Sequence, residues 1–411
     1  MTVIVYYPRF GAMGGGEAHA LQTALALVDV ADVWVVGERI PSGQATMERY
    51  GVDTSRLKRH DLAESPGLAR RVFGAEWALR RWKHPFVSRA HRRVLRGLAP
   101  DVFISFDTDR PFASVGAFGA YFCFFPASSR GLAPNRGAAR LYQALCNVFD
   151  RALLGRPDEN IRTYQSIVAN SSYSASWVER LWHVRADYIW PPCNDMGPSA
   201  IEKQPWILGV GRFHAPDGME HTKSQDVMIE AFAKVHAQEG LGSGVELHLV
   251  GDLNGEARNH RWLEELRARS EGLPVVFHPN ASYDELRSLY RQSSLVWIAT
   301  GFGFDPESHP GKQEHFGMVT VEAMSAGAVP LARASGGSLE IVDECSGLLW
   351  GDVDELVAQT VDLLADGPRR DAMANAAVDR ARQFAVAAYH ERVRHAVEAL
   401  SAETTAPVGR P

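Results

Sequence analysis

The sequence predicts an α/β protein made of two domains, each built on a parallel sheet. Strand-like and helix-like segments alternate almost throughout, and both halves open with a strand, a glycine loop and a helix. A polar, proline-bearing stretch at about residues 195–204 separates the halves. A chain of 411 residues suits two or three domains and can bury enough apolar surface to fold without a disulfide or a structural metal.

In the first half, short runs rich in branched or aromatic residues predict strands at 3–7, 32–36, 101–106, 120–125, 166–169 and 188–190. A glycine stretch at 11–16 follows the first strand, and small and apolar residues at helical spacing predict a helix over 17–28. Further helices are expected over 140–154 and 172–182. This half therefore predicts a Rossmann-like domain over residues 1–195.

The second half repeats the pattern, with strands predicted at 206–210, 245–250, 275–277, 295–299 and 329–332. Helices are expected between them, including one at about 224–236. A second Rossmann-like domain is therefore predicted over 205–385. A final helix at 386–400 follows the completed second domain, and residues 401–411 are expected to be disordered.

Charge, cysteine spacing and the lack of long apolar runs exclude several classes of protein. Lys and Arg total 43 against 49 Asp and Glu, a net charge of −6, which argues against nucleic acid as the main partner. No two cysteines form a C-x-x-C pair, so a zinc site is not expected and a reducing cytoplasm fits. The N-terminus has no signal-peptide pattern, and no apolar run is long enough to span a bilayer. The sequence predicts a cytoplasmic protein.

The most informative segment runs from Glu314 to Pro330. Glu314 is expected in the loop after the 295–299 strand, and Glu322 about one turn into the next helix. A helix N-terminus opened by Gly317 offers unpaired N–H groups to an anion, and a carboxylate deeper on the helix can accept both ribose hydroxyls. This spacing suits a nucleoside diphosphate that carries a sugar. It equally suits an ordinary solvated helix with surface acids.

A second group of residues favours the functional interpretation. Gly211 and Arg212 close the first strand of the second half, and Lys223 follows eleven positions after Arg212, just before a helix. An Arg and a Lys beside a diphosphate would neutralise the charge that develops on a leaving group. Each cation taken alone is more often an ordinary surface residue.

With these residues in place, the chain resembles a retaining glycosyltransferase of the GT-B fold, in family 4, the group 1 glycosyltransferases. The branch nearest to it contains the mannosyltransferases that build lipid-linked oligosaccharides. The matching pieces cover nearly the whole length in family order: residues 14–17, 170–172, 191–192, 209–212, 223–226, 250–252 and the E-x7-E block from Glu314 to Glu322. The resemblance implies two Rossmann-like, doubly wound domains facing across a cleft, with the last helix crossing back to pack on the first domain.

The resemblance also implies roles for individual residues. Arg212, Lys223 and Glu314 would form the catalytic set, with both cations on the diphosphate and Glu314 on the hydroxyls of the transferred sugar. Glu322 would bind the ribose. The remaining donor contacts would come from Gly15, Gly16, Gly211, Asn280, Phe316, Gly317, Met318 and Val319, with Asn280 beside the nucleobase and Gly15 and Gly16 approaching from the first domain.

One position departs from the family pattern. Family members often place a histidine that touches the donor sugar where this chain has Phe124. Either the sugar or acceptor contact is therefore expected from Glu17, Asp107, Asp109 or Phe124 itself, or the donor preference differs from that branch. Asp107 and Asp109 also form a D-x-D pair, which could bind a metal, but a polar acceptor contact is expected instead. Residues 301–312 form either a surface loop or a lid over the donor.

The resemblance implies metal-independent, cofactor-free, retaining transfer of a hexose from GDP-mannose or a UDP-hexose to an acceptor hydroxyl. The acceptor could be lipid-linked, a saccharide or a small molecule. The alternatives are a sugar-nucleotide epimerase or a phosphorylase of the same fold, and a nucleotide-sugar-binding scaffold without catalysis.

A basic segment adds one further expectation. Nine basic residues lie between Pro66 and Pro100, where one acid, Glu76, offsets them: Arg70, Arg71, Arg80, Arg81, Lys83, Arg89, Arg92, Arg93 and Arg96. Aromatic residues are interleaved with them. Such a segment suits peripheral contact with an anionic inner membrane face, or a soluble anionic acceptor. A solvated helix face with inward aromatics is the alternative.

Overall fold

The computed structural model describes residues 1–10, 15–62, 78–106, 111–126, 148, 151–152, 154–197, 202–216, 223–238 and 244–402. Two compact units divide the chain. The first contains Met1–Trp190 and the residues from Tyr389 onward, and the second contains Pro191–Ala388. The division lies before the predicted linker because residues 193–196 are already bonded within the second unit: Cys193 N donates to Phe384 O at 3.1 Å, and Met196 N donates to Ser325 Oγ at 3.0 Å.

The first unit is built on a seven-stranded sheet with the order β3-β2-β1-β4-β5-β6-β7, and every pairing in it is parallel. The strands are β1 (Thr2–Arg9), β2 (Asp32–Glu38), β3 (Lys58–Asp61), β4 (Val102–Ser105), β5 (Phe118–Cys123), β6 (Ser166–Ala169) and β7 (Asp187–Tyr188). The chain order reverses at β1, which pairs with β2 on one side and β4 on the other. This is the doubly wound arrangement that the alternating pattern predicts.

The described helices of the first unit are α1 (Gly15–Leu27), α2 (Gly43–Tyr50), α3 (Ala78–Gly97), α4 (Pro157–Ile161), α5 (Ser172–Trp182) and most of α13 (Val386–Ala402). Helix α5 begins where predicted because the Ser171 side chain accepts a hydrogen bond from Ser174 N at 3.0 Å, an N-cap. From α13, Tyr389, Val393 and Val397 are buried in the core that also contains Val3, Val5 and other residues of β1 and α1.

The second unit has a six-stranded parallel sheet in the order β10-β9-β8-β11-β12-β13. The strands are β8 (Gln204–Val210), β9 (Glu246–Gly251), β10 (Val275–Pro279), β11 (Ser293–Ile298), β12 (Val329–Arg333) and β13 (Leu348–Trp350). Here the order reverses at β8, between β9 and β11. The carboxyl ends of β8 and β11 therefore flank the crevice in which doubly wound folds bind ligands.

The helices of the second unit are α6 (Gln225–His236), α7 (Ala257–Arg269), α8 (Tyr283–Gln292), α9 (Met318–Ser325), α10 (Ser338–Ile341), α11 (Val353–Ala365) and α12 (Gly367–Ala381). One half-buried lysine joins α8 to α9. Lys203 Nζ donates to Tyr290 O at 3.2 Å, Ser293 O at 2.9 Å and Ala326 O at 2.8 Å. Its three N–H donors thus meet carbonyls at the C-terminal ends of both helices, where a cation is favoured.

Two strands differ from the sequence prediction. β3 was missed because its residues, Lys-Arg-His-Asp, are all polar, and β13 because it has three residues. The helix predicted over 140–154 lies almost entirely outside the described residues. Helix α13 extends through Ala402, and the rest of the predicted disordered tail is also outside them. Among the described residues, no helix is both long and apolar enough to cross a membrane.

Candidate functional site

The carboxyl edge of the second sheet gathers most of the predicted site residues. Gly211 and Arg212 directly follow β8, and Arg212 is exposed. Thr300 lies just beyond β11, and the loop after it leads through Glu314 to α9. The site is therefore placed by two adjacent central strands and the helix that follows the second of them.

Lys223 and Glu314 form an ion pair in this crevice. Lys223 Nζ lies 2.6 Å from Glu314 Oε2, and both side chains are largely buried. Thr300 Oγ1 donates to the same carboxylate oxygen at 3.0 Å and accepts from Lys223 Nζ at 3.3 Å. Three side chains that are far apart in sequence thus meet around one oxygen. The arrangement holds a cation and an anion in fixed positions at the mouth of the sheet.

Gly211 is required by the close approach of Lys223. A Cβ at Gly211 would lie 2.2 Å from Lys223 Cγ, and a Cβ at Gly251 would lie 2.0 Å from Gly211 O. The turn after β8 therefore packs directly on the loop after β9, with Lys223 pressed against it. The role of Gly211 is to let Lys223 reach the crevice.

Glycines also shape the backbone around Glu314. Gly337 N donates to Glu314 O at 2.7 Å, and a Cβ at Gly336 would lie 2.2 Å from the same carbonyl oxygen. Gly317 precedes α9 with φ of +113°, a value that glycine adopts without strain. Phe316 is buried, while Met318 and Val319 in the first turn are half-buried. In the first turn of α9, Thr320 N donates to Gly317 O at 2.9 Å, and the N–H groups at the start of a helix suit an anion.

Glu322 lies in the second turn of α9, where the sequence predicts it. Its Oε2 accepts a hydrogen bond from the Tyr290 hydroxyl at 3.0 Å. Burial raises the pKa of the Glu322 carboxyl to about 7, although the Tyr290 hydrogen bond acts in the opposite direction. The carboxyl is therefore divided between its protonated and ionised forms near neutral pH.

Asn280 has a structural role that the amino-acid sequence did not indicate. It has φ of +59°, its Oδ1 accepts from Leu253 N at 2.8 Å, and its Nδ2 donates to Leu253 O at 3.3 Å. The side-chain amide is thus occupied in joining the loop after β10 to the loop after β9. Asn280 shapes the predicted nucleobase loop through this clamp.

The first unit holds the other predicted residues. Gly15 and Gly16 open α1, and a Cβ at Gly16 would lie only 3.0 Å from the ring of Phe124. Glu17 is 2% exposed, and its Oε2 accepts a hydrogen bond from the Tyr50 hydroxyl at 2.7 Å. Its carboxylate is thus engaged inside the first unit. Phe124 is half-buried, and Asp107 and Asp109 lie outside the described residues.

Four functional candidates were missed in the sequence: Thr300, Tyr290, Gly336 and Gly337. A polar residue two positions after a buried strand could have indicated Thr300, and a glycine pair after a strand could have indicated the other loop. Tyr290 gives no signal, because its contact with Glu322 depends on how α8 packs beside α9.

The loop over residues 301–312 is folded around Gln313. The buried Gln313 Nε2 donates to Phe304 O and to His309 O, each at 3.3 Å. Burial lowers the pKa of His315 to about 4, so this ring is neutral at physiological pH. In the part of the chain that the structure describes, no three His, Cys, Asp or Glu side chains are grouped to hold a metal ion.

Comparison with known proteins agrees with this geometry. Residues 195–380 match the family model of the glycosyl transferases group 1. The mouse GDP-Man:Man(3)GlcNAc(2)-PP-Dol alpha-1,2-mannosyltransferase is 29% identical over 46% of this chain and 38% of its own length. The D-inositol 3-phosphate glycosyltransferase of Stackebrandtia nassauensis is 28% identical over 53% of this chain and 50% of its own. The chain thus spans half or less of the lengths of these two curated relatives.

Solved structures resemble the chain over nearly its whole length. HepE of Anabaena in complex with UDP and glucose has a TM-score of 0.63 at 16% identity, covering 97% of this chain and 100% of its own. Sucrose-phosphate synthase of Thermosynechococcus elongatus has a TM-score of 0.66 at 14% identity, covering 98% of this chain and 99% of its own. At these identities the likeness shows the fold, and it confirms the predicted GT-B architecture.

Proposed function

We propose that the chain is a group 1 glycosyl transferase, because residues 195–380 match that family model, and that it transfers a hexose from a nucleoside-diphosphate sugar to an acceptor hydroxyl. The observation that carries the proposal is the Lys223–Glu314 ion pair at the mouth of the second sheet. It lies beside the N-terminus of α9, with Glu322 one turn further along the helix.

Each part of this arrangement has a chemical role in the proposed reaction. Lys223 and the first-turn N–H groups of α9 would stabilise the charge that develops on the leaving diphosphate. Arg212, exposed after β8, would add a second cation on the same oxygens. Glu314 would accept hydrogen bonds from hydroxyls of the transferred sugar, and Glu322 would accept them from the ribose. The nucleobase would lie on the loop that Asn280 shapes.

The proposed donor is GDP-mannose or a UDP-hexose. The name of the mouse relative contains GDP-Man, and the Anabaena structure contains UDP and glucose. A thermal-shift panel of GDP, UDP, ADP and their hexose conjugates would identify the base. A ligand at 100 times its dissociation constant adds about 2.7 kcal/mol to the free energy of unfolding. If no nucleotide in the panel raises the melting temperature, the donor site is wrongly assigned.

Glu322→Gln provides the matched test of the ribose site. It keeps the size of the side chain and the hydrogen bond to Tyr290 but removes the carboxylate that would accept two hydroxyls. We expect the nucleotide dissociation constant to rise roughly tenfold. Unchanged nucleotide affinity in this variant would refute the ribose assignment.

Retention and metal independence are also part of the proposal. Lys223, Arg212 and the α9 dipole supply positive charge where other transferases use a metal, and front-face transfer would use the leaving phosphate as the base. Proton NMR of the first product, before any anomerisation, should show the anomeric configuration of the donor. Activity that is lost in EDTA and restored by Mg²⁺ or Mn²⁺ would refute metal independence and return Asp107 and Asp109 to consideration as ligands.

The acceptor is proposed to bind to the first unit. The basic segment between Pro66 and Pro100 is proposed to contact an anionic inner membrane face. In the described half of α3, Ser88, His91 and Leu95 are buried, while Arg89, Arg93 and Arg96 are exposed. The helix thus presents a row of arginines on its outer face, each worth about 1 kcal/mol beside an anionic surface.

Vesicle co-sedimentation tests this contact. Wild-type protein should bind phosphatidylserine vesicles in low salt and dissociate in high salt. Reversing Arg89, Arg93 and Arg96 to Glu should abolish binding, whereas reversing the exposed Arg156, Arg162 and Arg185 should weaken it far less. No binding to either anionic or neutral vesicles at low salt would exclude the membrane and favour a soluble anionic acceptor. Equal binding to both would exclude an electrostatic contact through these arginines.

Two alternatives predict different products. A sugar-nucleotide epimerase would convert the donor without any acceptor, and a scaffold would bind the nucleotide without turnover. Incubation with donor alone, followed by sugar analysis of the nucleotide pool, identifies an epimerase. Product formation on addition of an acceptor then separates a transferase from a scaffold. A phosphorylase would consume inorganic phosphate, which is measurable in the same assay.

A further inference from the structure

A histidine of the first unit is buried in an unusual environment. His19 lies in the second turn of α1 and is 2% exposed. Its ring centroid lies 5.1 Å from that of Tyr389, 5.2 Å from Phe106, 5.6 Å from Phe124 and 5.9 Å from Phe122. We name these four rings the aromatic cage. Neither nitrogen of His19 has a hydrogen-bond partner in the part of the chain that the structure describes.

The nearby polar groups do not satisfy the imidazole, because they bond one another. The Tyr389 hydroxyl is hydrogen-bonded to Thr23 Oγ1, and Thr23 Oγ1 donates to the backbone carbonyl of His19. Burial lowers the pKa of His19 to about 3, so the ring is neutral at physiological pH. A neutral imidazole carries one N–H donor and one acceptor nitrogen, and leaving both unpaired in an apolar site costs stability.

The position of His19 in the fold suggests what offsets this cost. Phe106 directly follows β4 and Phe124 follows β5, so the cage lies at the carboxyl edge of the first sheet. The chain order of that sheet reverses between β1 and β4, which is where doubly wound folds bind their ligands. Helix α1, which carries His19, begins at this edge.

Phe124 is the half-buried member of the cage, while Phe106, Phe122 and Tyr389 are buried. It packs over both Gly16 and His19. A rotation of the Phe124 side chain would therefore expose the imidazole at the sheet edge without disturbing the core.

We propose that His19 binds a ring hydroxyl of the acceptor, with Phe124 as the movable cover of the site. The proposal rests on the transferase function and names the acceptor class: a neutral, hydroxyl-bearing ring such as a sugar or a cyclitol. A hydroxyl can donate to the acceptor nitrogen of the imidazole or accept from its N–H, and a ring with several hydroxyls can do both. The apolar face of such a ring matches the aromatic cage.

The first test uses His19→Phe. If His19 is present for binding, phenylalanine removes an unpaired polar group from the cage, so the urea midpoint should stay the same or rise. His19→Gln, which keeps a donor and an acceptor, serves as a second variant. Val35→Ala, in the same core but outside the cage, is the control and should lower the urea midpoint while leaving ligand binding intact. A large loss of stability in both His19 variants would show that the histidine is structural and overturn the proposal.

The second test measures binding directly. Saturation-transfer NMR with methyl α-mannoside, methyl α-glucoside and myo-inositol should detect binding of at least one ring to the wild-type protein. Binding should weaken roughly tenfold or more in His19→Phe and less in His19→Gln. Wild-type protein that binds none of the three rings, or equal binding by wild type and His19→Phe, would refute the proposal.

The third test separates acceptor from donor. Nucleotide affinity and the slow hydrolysis of the donor by water need no acceptor, so both should be unchanged in His19→Phe. A fall in donor hydrolysis would instead place His19 on the donor sugar and overturn the acceptor assignment. If no variant, including wild type, binds a nucleotide, the transferase function fails, independently of what the ring-binding experiment shows about His19.

Discussion

At the scale of single residues, the ion pair between Lys223 and Glu314 predicts a large effect on the transfer rate. Lys223→Met leaves Glu314 without its cation and, in the proposed reaction, removes positive charge from the leaving diphosphate. We expect the transfer rate at saturating donor to fall on the order of 100-fold. Lys234→Met, which loses the exposed contact to Asp354, is the matched control and should leave the rate unchanged. Initial rates within twofold of wild type would contradict a catalytic role for Lys223.

Thr300 should affect the rate by positioning Glu314 and not by contacting the donor. Thr300→Val keeps the shape of a buried side chain but removes the hydroxyl that bonds Glu314 Oε2. We expect roughly a tenfold loss of rate, with little change in nucleotide affinity. Thr300→Ser should restore the rate. A loss confined to nucleotide affinity would show that Thr300 contacts the donor and does not position Glu314.

Glu322 makes stability depend on pH. Because its folded pKa of about 7 lies above the ordinary value of 4.5, the folded state binds the extra proton between these values. The contribution of this proton to the free energy of unfolding is complete below pH 4.5 and is lost as pH rises through 7. Relative to Glu322→Gln, the wild type should therefore lose up to about 3 kcal/mol between pH 4.5 and pH 8. Parallel urea titrations of both proteins measure this, and parallel pH profiles would contradict it.

The sequence indicated the charged residues of the candidate site better than the neutral residues that contact them. Lys223, Glu314 and Glu322 stand in a spaced pattern that a strand and a helix start make interpretable. Thr300 and Tyr290 are ordinary residues of a strand end and a helix. Their contacts depend on the packing of β11, α8 and α9, which no local pattern specifies.

Among the elements, α8 and α9 depend on one side chain. Lys203→Met would leave three backbone carbonyls without their shared donor, at Tyr290, Ser293 and Ala326. We expect a loss of roughly 3 kcal/mol in the free energy of unfolding of the second unit. Nucleotide affinity should fall too, because Tyr290 and Glu322 lie on the two helices.

The control for Lys203→Met is again Lys234→Met, since Lys234 is an exposed lysine of the same unit. It should leave the unfolding curve nearly unchanged. If the two variants were equally stable, Lys203 would not be the link between the helices.

The strands, like the site residues, were predicted from the sequence only where a local pattern marks them. Strands such as β11, buried along its whole length, were predicted because they are apolar runs. The polar edge strand β3 was missed because its residues are held by pairing with β2 rather than by a buried face. A local sequence pattern predicts the elements that bury side chains in a core. An element without a buried face forms by pairing with its neighbour, which the local pattern does not show.

At the scale of the whole molecule, α13 should determine the stability of the first unit. Val393 is buried in the core of that unit, so Val393→Ala should destabilise it by roughly 2 kcal/mol. Glu391→Ala, an exposed change on the same helix, should have little effect. Calorimetry with and without saturating nucleotide distinguishes the units, because nucleotide should raise the transition of the second unit alone. A Val393→Ala protein that loses only the nucleotide-sensitive transition would contradict this assignment.

The return of the chain at Tyr389 has a consequence for how the protein is made. The ribosome releases residues 191–388, which form the second unit, before it releases the helix that supplies Tyr389, Val393 and Val397 to the first. At 5–20 residues per second, about 200 residues delay that helix by on the order of 10–40 s. During this interval the aromatic cage around His19 lacks its Tyr389 wall. The unit that begins first is thus the last to be completed, and the nascent chain must keep an open core soluble while the second unit folds.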